Sequence, residues 1–368
     1  MFTDEHLYSI ALRRCTLIGD INFHRLVRTA GSAKEVWSLP KRELAKAFGV
    51  GSRTLSEIGT AEPLEFAEKE LLFCEKNGIN ILLRHNSEYP RLLNEAEDAP
   101  AILYCKGNLE FSARSVSIVG TRNITSYGRK FLEELFPELP AENLITVSGL
   151  ALGADTAVHE LSLKHKIPTT AVLAHGFHTI YPSKNRKLAE TILENGGTIL
   201  SEFNSSQKPD RENFIQRNRI IAALSETTIV VETAFGGGSV STVTFANNYN
   251  REVYALPGKI TDKYSQGCNQ LISQLKARTI STISGLIEEM DLKLQPKTGI
   301  LFPRSEIKLQ LSEDQQLIYE ILEENSQISL DELGEKTELP AQKLLAILLH
   351  LELAGHVKTH SGKQYSLS

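Results

Sequence analysis

The chain has 368 residues, of which 41% are hydrophobic, and a formal net charge of −5. This length predicts two or three domains with real apolar cores, and the charge excludes a globally basic protein, so a nucleic-acid role would need a local basic patch. The four cysteines are scattered and form no CxxC pair, which argues against structural zinc and fits a reducing compartment. Because the sequence shows no signal-peptide pattern and no membrane-length apolar run, we expect a cytoplasmic protein with no membrane contact.

Apolar residues at helical spacing, such as Leu7, Ile10 and Ala11, predict a helical domain over residues 1–65. The predicted turn 48–52 carries two glycines between helices. Glycine turns of this kind can bind the DNA backbone through exposed N–H groups, but they more often join the helices of a plain interaction domain. Both interpretations stay open here, and we favour the plain domain.

Residues 66–114 lead into the central region of the chain. A helix is predicted over 65–77 with Gly78 as its cap, and an added strand is predicted over 79–83. Segments 89–93 and 100–104 are predicted to be a connector that packs on the sheet.

Between residues 115 and 258, short apolar strands alternate with helices, and glycine turns join many of them. This alternation predicts an α/β fold with a mostly parallel sheet covered on both faces. In such sheets ligands bind at the carboxyl ends of the strands, where the glycine turns also fall. The predicted strands are 115–119, 144–147, 169–174, 198–200, 227–232 and 252–256, and helices are predicted over 127–139, 187–195 and 212–224.

Glycine turns and nearby cations predict a phosphate-binding site at this edge. The turn Gly120-Thr121-Arg122 brings together backbone N–H groups, a positive helix end and the planar donors of a guanidinium. Gly236-Gly237-Gly238-Ser239 is typical of an anion nest, since three glycines favour close backbone approach to a ligand. The candidate DNA- or phosphate-binding residues are Gly120, Thr121, Arg122, Ser148, Gly149, Lys184, Arg186, Lys187, Arg217, Asn218, Arg219, Gly236, Gly237, Gly238 and Ser239.

Two groups of cations extend this candidate site. In Arg217-Asn218-Arg219 the arginines are two positions apart on a helix and point to different faces, so we expect one to face the ligand and the other to pair with an acid. The cations that follow Tyr181-Pro182 fit a solvated charge run as well as a pocket when taken alone. Together with Arg122 at the same edge, they favour a basic pocket.

The sequence offers little for catalysis. It contains neither a GxxxxGK[ST] loop nor a GxGxxG fingerprint, which disfavours a P-loop ATPase and a nicotinamide enzyme. Asp155 and His159 are either an acid–base pair or, as we favour, a helix cap and a structural contact. His175 and His178 lack a third ligand at metal spacing, and no carboxylate lies between residues 233 and 251. We therefore expect no catalytic residue, no metal and no cofactor.

The C-terminal part is predicted to be a small separate domain. Residues 291–311 have prolines and no sustained period, which indicates a linker. Residues 312–368 predict three helices, the first opened by a capping box of Ser312 and Gln315, and a hairpin around Ser361-Gly362, which is the pattern of a winged helix. The third helix carries only Lys343 as a cation, so a protein partner fits it at least as well as DNA.

Several short motifs follow one another in a specific order. They are Ser117-Ile118-Val119-Gly120-Thr121-Arg122, Ser148-Gly149-Leu150-Ala151-Leu152-Gly153-Ala154-Asp155 with His159, Tyr181-Pro182, Ser201-Glu202, Arg217-Asn218-Arg219-Ile220-Ile221, Val230-Val231-Glu232 and Ala255-Leu256-Pro257-Gly258. Each alone would be weak, but their number and order are specific. Over about 90–290 the chain closely resembles the DNA-processing protein A family, DprA, also called Smf.

The resemblance implies an extended Rossmann-like platform with an N-terminal helical domain of the SAM or helix-hairpin-helix type and a C-terminal winged helix. The corresponding limits are 1–65, 66–290, a linker 291–311, and 312–368. It further implies a homodimeric, single-stranded-DNA-binding recombination mediator that protects incoming DNA and helps load RecA during natural transformation. In the family the arginine of the Gly-Thr-Arg turn contacts a DNA phosphate, which maps onto Arg122. In the family, basic residues after the Tyr-Pro motif line the same pocket. The candidates here are Lys184, Arg186 and Lys187, and the resemblance does not show which of them does so.

The sequence departs from the family pattern at three places. Gly153-Ala154-Asp155 replaces the common Gly-Ile-Asp, Ser239-Val240-Ser241-Thr242-Val243 replaces Ser-Leu-x-Thr-Ala, and Leu275-Lys276-Ala277 replaces a segment with Gly-Ala.

Two other functions stay open. One is a phosphoribohydrolase-like nucleotide enzyme, which the missing carboxylate after Gly238 disfavours and which Glu232 or Asp155 on a ribose would revive. The other is a pure scaffold, in which Arg122→Ala keeps all activity.

Overall fold

The structure is a computed structural model. The residues that it describes are 2–48, 53–108, 111, 113–292, 313–324, 328–337, 339–353, 357–360 and 364–367. They fall into two compact units, residues 1–294 and 295–368. Four predicted features lie wholly or mostly outside the described residues: the glycine turn 48–52, the linker 291–311, the Ser312 capping box and the turn Ser361-Gly362.

Five helices open the first unit. They are α1 (Asp4–Arg14), α2 (Asp20–Ala30), α3 (Ala33–Ser38), α4 (Lys41–Phe48) and α5 (Ala61–Asn77). The long α5 packs along α1, and Gly78 ends it in the left-handed conformation that glycine adopts without a Cβ penalty. The boundary predicted at residue 65 thus falls inside α5.

A nine-stranded sheet follows, with helices between its strands. The strands are β1 (Asn80–Leu83), β2 (Ile102–Gly107), β3 (Arg114–Val119), β4 (Leu144–Ser148), β5 (Thr169–Val172), β6 (Thr198–Ser201), β7 (Thr227–Val230), β8 (Glu252–Ala255) and β9 (Arg278–Thr279). The helices are α6 (Arg91–Asn94), α7 (Ser126–Leu135), α8 (Ala154–Lys164), α9 (Arg186–Glu194), α10 (Arg211–Ala223), α11 (Ser239–Asn248), α12 (Gln266–Ser273) and α13 (Ile283–Glu289), with 3-10 turns at Phe136–Glu138 and Ser183–Asn185.

The strand order is β1-β2-β6-β5-β4-β3-β7-β8-β9. Strands β3 to β9 run parallel, whereas β1 pairs antiparallel with β2, and β2 with β6. From β3 the chain builds the sheet outward through β4, β5 and β6, then returns to place β7 on the other side of β3. The carboxyl ends of β3 and β7 therefore form the topological switch point, where open α/β sheets bind ligands.

Side chains of β3 show how both faces of the sheet are covered. Val116 and Ile118 pack into a cluster with α7 and α8, whereas Val119 packs into a cluster with α10 and α11. A third cluster joins α1 and α5 to β1 and β2. The α/β class, with its large parallel sheet, is confirmed.

The strand β2 corrects one prediction. Residues 100–104 were expected to be a connector, but Ile102–Gly107 pairs with β6 and places Tyr104 opposite Ser201. Leu103 and Cys105 pack into one core cluster and Ile102 and Tyr104 into another. Because both faces are buried, the segment lacks the polar–apolar alternation that identifies a half-exposed strand.

The second unit is a winged helix. It contains α14 (Glu313–Glu324), β10 (Ile328–Ser329), α15 (Leu330–Thr337), α16 (Ala341–Leu353), β11 (Val357–His360) and β12 (Gln364–Leu367). Strand β12 lies between β10 and β11. Lys343 of α16 pairs with Asp314 at 2.6 Å. Within the described residues, no helix combines the length and apolar character that a membrane span needs.

Candidate nucleic-acid interface

A cavity of about 1040 Å³ opens at the switch point between β3 and β7. Its walls include the end of β3 with the loop after it (residues 119–123), the loop after β7 with the first turn of α11 (233–242, without Phe235), and parts of α10. Three helices, α7, α8 and α11, begin beside these loops. Their N-terminal N–H groups and positive dipole ends make each of them a possible anion site.

The N-terminus of α8 already has a carboxylate. Asp155 Oδ2 accepts a hydrogen bond from Ala151 N at 3.2 Å. Ala154 N donates to Thr121 O at 3.0 Å, and Gly153, at φ +82°, lies so close to the β3 loop that a Cβ would be 2.4 Å from Thr121 O. Burial raises the pKa of Asp155. This helix end therefore holds the two loops together and is closed to an outside anion.

The N-terminus of α7 is occupied in the same way by Glu232. This buried carboxylate accepts from Thr125 N at 2.8 Å and from Thr125 Oγ1 at 2.5 Å. Gly128 leaves the space for it, since a Cβ there would lie 2.7 Å from Glu232 Oε2. Glu232 thus has a structural task at the start of α7.

The N-terminus of α11 is different. We call residues 236–239 the cradle. A Cβ built at Gly236 or Gly238 meets nothing within 4 Å, and the Oγ of Ser239 has no hydrogen-bond partner although the residue is only 7% exposed. Asn218 of α10 fixes the cradle by donating to Gly238 O at 3.3 Å and Ser241 Oγ at 2.9 Å. Of the three helix ends described here, this one is open and has an unsatisfied hydroxyl, which suits a phosphate.

Arg122 and aromatic rings line the cavity beside the cradle. The exposed Arg122 places its Cζ 5.1 Å from the ring centroid of Phe214. Phe214 and Tyr181 meet edge to face with centroids 5.8 Å apart. The cavity therefore offers a guanidinium for a phosphate and aromatic rings for a base.

Arg217 is a buried cation that packs against Phe214 of this wall. It is 3% exposed and donates through Nη1 to Gly149 O at 2.7 Å and to Val172 O. Burial lowers the pKa of Arg217 to about 10, which leaves it charged at neutral pH. Its Cζ lies 5.8 Å from the centroid of Phe214, so the buried cation helps to hold the ring that Arg122 covers.

Comparison with known proteins places the chain in a family. The family model described as DNA recombination-mediator protein A matches residues 80–291, and the DprA winged helix domain matches residues 303–363. The DNA processing protein DprA of Bacillus subtilis (strain 168) is 38% identical over 217 residues, 58% of this chain and 72% of the relative. Protein Smf of Escherichia coli (strain K12) is 32% identical over 308 residues, 82% of this chain and 80% of the relative.

The chain belongs to the DprA/Smf family.

Solved structures from the DprA/Smf family share the fold. DprA from Streptococcus pneumoniae aligns with a TM-score of 0.67 at 28% identity and covers 80% of this chain and 99% of that one. DprA from Helicobacter pylori, whose structure is described in terms of its single-stranded DNA binding mode, aligns with a TM-score of 0.52 at 30% identity. It covers 58% of this chain and 95% of that one. The DprA/Smf family and the winged-helix domain predicted from the sequence are confirmed by the two family models.

The structure brings most of the predicted DprA/Smf site together. The predicted residues that line the switch-point cavity are Gly120, Thr121, Arg122, Arg217, Asn218, Gly236, Gly237, Gly238 and Ser239. Those that lie outside the lining are Ser148, Gly149, Lys184, Arg186, Lys187 and Arg219. Lys184, Arg186 and Lys187 are exposed and follow Tyr181, which does line the cavity.

Ser148 and Gly149 need a correction. Ser148 is fully buried, and its Oγ donates to Ile118 O at 2.8 Å, which ties β4 to β3. Gly149 makes room for a cation, since a Cβ there would lie 2.7 Å from Arg217 Cζ. Both residues therefore shape the floor of the site and have no side-chain route to a ligand.

Arg219 needs a correction as well. It is buried in an ion pair with Glu202, lies 3.5 Å from Asp20 of α2 and donates to Asp98 O. The expectation that one of the two arginines pairs with an acid agrees with this geometry. Arg219 is the paired one, because two positions along α10 turn a side chain to the opposite face. Arg217 lines the cavity but is 3% exposed and bonded to backbone carbonyls, so its contact with a ligand stays a prediction.

Several residues of the cavity wall were not among the predicted site residues, and the most relevant of them are Phe214, Tyr181 and Arg211. Phe214 lies one helical turn before Arg217, so the i, i+3 spacing was available as a signal. The sequence also suggests Phe177 and Phe235 as apolar rims for bases. Phe177 is half-buried in two core clusters, whereas Phe235 is 71% exposed.

The cysteines and His175 have structural roles. All four cysteines are buried free thiols, and burial raises the pKa of Cys74, Cys105 and Cys268 to about 12. His175 Nε2 accepts from Tyr181 N at 3.1 Å and so fixes the loop that carries Tyr181. No cluster of three metal-ligating side chains occurs among the described residues.

Proposed function

We propose that this DprA/Smf protein binds single-stranded DNA in the switch-point cavity, with one backbone phosphate in the cradle and another on Arg122. The observation that supports this most is the open N-terminus of α11 with the unpartnered Ser239 Oγ. The neighbouring helix ends are filled by the protein's own Asp155 and Glu232, so a ligand anion is favoured at the one site left open.

The proposed path continues beyond the phosphates. A base stacks on Phe214 and Tyr181, because an aromatic face accepts any base without sequence preference. Arg211 borders the same wall, and the exposed Lys184, Arg186 and Lys187 extend the path on the β5 side. The printed description of the Helicobacter pylori relative, a single-stranded DNA binding mode, supports this class of ligand.

The wider role that we propose is the one that family membership implies. The protein acts in the cytoplasm as a homodimer through the Rossmann-like domain, protects incoming single-stranded DNA and helps load RecA during natural transformation. We propose that it does this without catalysis. The carboxylates beside the cavity support a binding role, because each already accepts a backbone N–H: Asp155 from Ala151 in the loop before α8, Glu232 from Thr125 before α7, and Asp210 from Glu212 in α10.

Binding of labelled oligo-dT across a salt series tests the site. Arg122→Ala removes one charge-assisted phosphate contact, so we expect affinity to fall by about 1.5–3 kcal/mol and the slope of log K against log salt to decrease by about 0.7. Arg91→Ala is the matched control. Arg91 is exposed, pairs only with Glu95 among the described residues and lies at the amino-end edge of the sheet, so its loss leaves binding unchanged.

Two outcomes would reject the proposal. Equal binding by the wild type and Arg122→Ala would place the DNA elsewhere, as the scaffold interpretation requires. Absence of binding by the wild type, together with turnover of a nucleotide that is lost in Asp155→Asn, would revive the phosphoribohydrolase-like enzyme.

A further inference from the structure

Beside the switch-point cavity lies the loop that follows β8, residues 257–264, which we call the β8 loop. Its end is fixed against the cavity wall, because Thr233 N donates to Tyr264 O at 2.7 Å and Gly267 N donates to Thr233 O at 2.9 Å. Thr233 itself lines the cavity. A Cβ at Gly267 would lie 2.4 Å from Ala234 O, so the segments are in direct contact.

The β8 loop presents cations and an apolar side chain to solvent. Lys259 and Lys263 are exposed, and no ion pair within the described part of the chain involves either of them. Ile260 is 83% exposed, and Phe235, from the neighbouring β7 loop, is 71% exposed. The exposed Asp262 is the acid of this loop, which leaves a local charge of +1.

We propose that the β8 loop and Phe235 form a second contact site for single-stranded DNA, where the strand leaves the cavity. This inference rests on the proposed function. Lys259 and Lys263 bind backbone phosphates, and Phe235 with Ile260 provides the apolar surface for a base. A nucleic-acid strand offers phosphates to the exposed cations and bases to the large apolar side chains between them. An apolar protein segment would fit this surface less well, because it would leave both ammonium groups without a negative partner.

Sheet geometry sets the size of this site. Along the carboxyl-end edge the order is β5, β4, β3, β7 and β8, so the cations after β5 and those of the β8 loop flank Arg122 on opposite sides. Two strand spacings of about 4.8 Å separate β3 from β8, or about 10 Å. This distance holds about three nucleotides at the stacked rise of 3.4 Å, and fewer when the strand is extended.

The test is the double variant Lys259→Gln with Lys263→Gln, assayed by fluorescence anisotropy on oligo-dT of increasing length. Lys164→Gln with Lys276→Gln is the control. It removes the same charge from exposed residues at the opposite edge, at the end of α8 and just before β9. We expect the β8-loop variant to stop gaining affinity one to three nucleotides sooner than the wild type. Its slope of log K against log salt on long oligonucleotides should be smaller by about 1.4. The difference in affinity between this variant and the wild type therefore shrinks about seven-fold between 50 and 200 mM salt.

A third variant tests the apolar part of the site. Phe235→Ala should weaken binding of long oligonucleotides by about five-fold or more without changing the salt slope, since stacking releases no counterion. If the β8-loop variant and Phe235→Ala bind DNA as tightly as the control while Arg122→Ala binds weakly, the β8-loop inference is wrong. The proposal that DNA binds in the cavity would then still hold. If the wild type and Arg122→Ala bind equally, the proposed function itself has failed. A loop that serves a protein partner instead would leave oligonucleotides of every length unaffected.

Discussion

Two glycines at the same edge of the sheet should respond in opposite ways to alanine. Gly149 follows β4 and lies against the buried guanidinium of Arg217, whereas Gly238 lies in the cradle and faces open space. We therefore expect Gly149→Ala to lose stability, and Gly238→Ala to lose DNA affinity with its stability intact. The pair separates a glycine required by packing from a glycine required by a ligand.

The size of the Gly149→Ala effect follows from three distances. A Cβ there would lie 2.7 Å from Cζ and Nη2 of Arg217 and 2.8 Å from Nη1, well inside van der Waals contact. The guanidinium cannot retreat without breaking its bonds to Gly149 O and Val172 O. Overpacking costs about 1–3 kcal/mol, and a lost hydrogen bond from a charged donor costs about 1.5–3 kcal/mol. A shift of the guanidinium relieves the overpacking but weakens its hydrogen bonds, so the two costs do not add in full. We therefore expect a loss of about 3 kcal/mol in unfolding free energy.

The Gly238→Ala effect has a different origin. Gly238 has φ −60° and ψ −31°, a helical conformation that alanine adopts readily. Stability should stay the same or rise by about 0.4–1 kcal/mol, because alanine restricts the unfolded chain. The added methyl group points into the space where we place a phosphate. Displacing one charge-assisted contact costs about 1.5–3 kcal/mol, or about ten-fold to one hundred-fold in affinity.

Both variants are to be measured by urea unfolding, followed by circular dichroism, and by oligo-dT anisotropy at fixed salt. If Gly149→Ala unfolds at the wild-type urea concentration, the contact between Gly149 and Arg217 does not exist as described. If Gly238→Ala binds DNA like the wild type, the phosphate does not occupy the cradle. Loss of stability in both variants would refute the distinction between the two glycines.

Two further predictions concern buried charge. Burial lowers the pKa of His159 from 6.5 to about 3. Between pH 6.5 and pH 3 this histidine binds a proton in the unfolded chain but not in the folded protein. The free energy of unfolding therefore falls as pH falls, by about 2 kcal/mol at pH 5 from this residue. Urea titrations at pH 7 and pH 5 should show a smaller decrease for His159→Gln than for the wild type, and equal decreases would contradict the assignment. Arg219→Ala leaves the buried Glu202 without its cation, whereas Asp20 keeps Arg13 at 3.0 Å. We expect it to lower the unfolding free energy by about 3–5 kcal/mol. The urea midpoint measures this, and a midpoint within error of the wild type would show that the ion pair is not stabilising.

Local patterns in the sequence were sufficient for the main elements of the fold. A short β-branched strand, a glycine turn and an amphipathic helix each leave a local signal, and β3 with α7 illustrates this. The signal fails where both faces of a strand are buried, as in β2. It also misplaces a boundary at residue 65, because α5 (Ala61–Asn77) continues across that position. Both cases depend on which surfaces meet, and this information is not local.

The candidate site was predictable to a smaller degree, and the reason lies in the helix ends. The loops before α7, α8 and α11 are similar in sequence, since each follows a strand and is rich in glycine or small polar residues. What separates them is whether a carboxylate of the protein itself occupies the helix end. For α8 it comes from Asp155 within the same helix, but for α7 it comes from Glu232, 107 residues after Thr125. Glycine turns alone therefore predict more phosphate sites than an α/β fold contains, and a strand-end carboxylate such as Glu232 closes the helix end that its turn would otherwise offer.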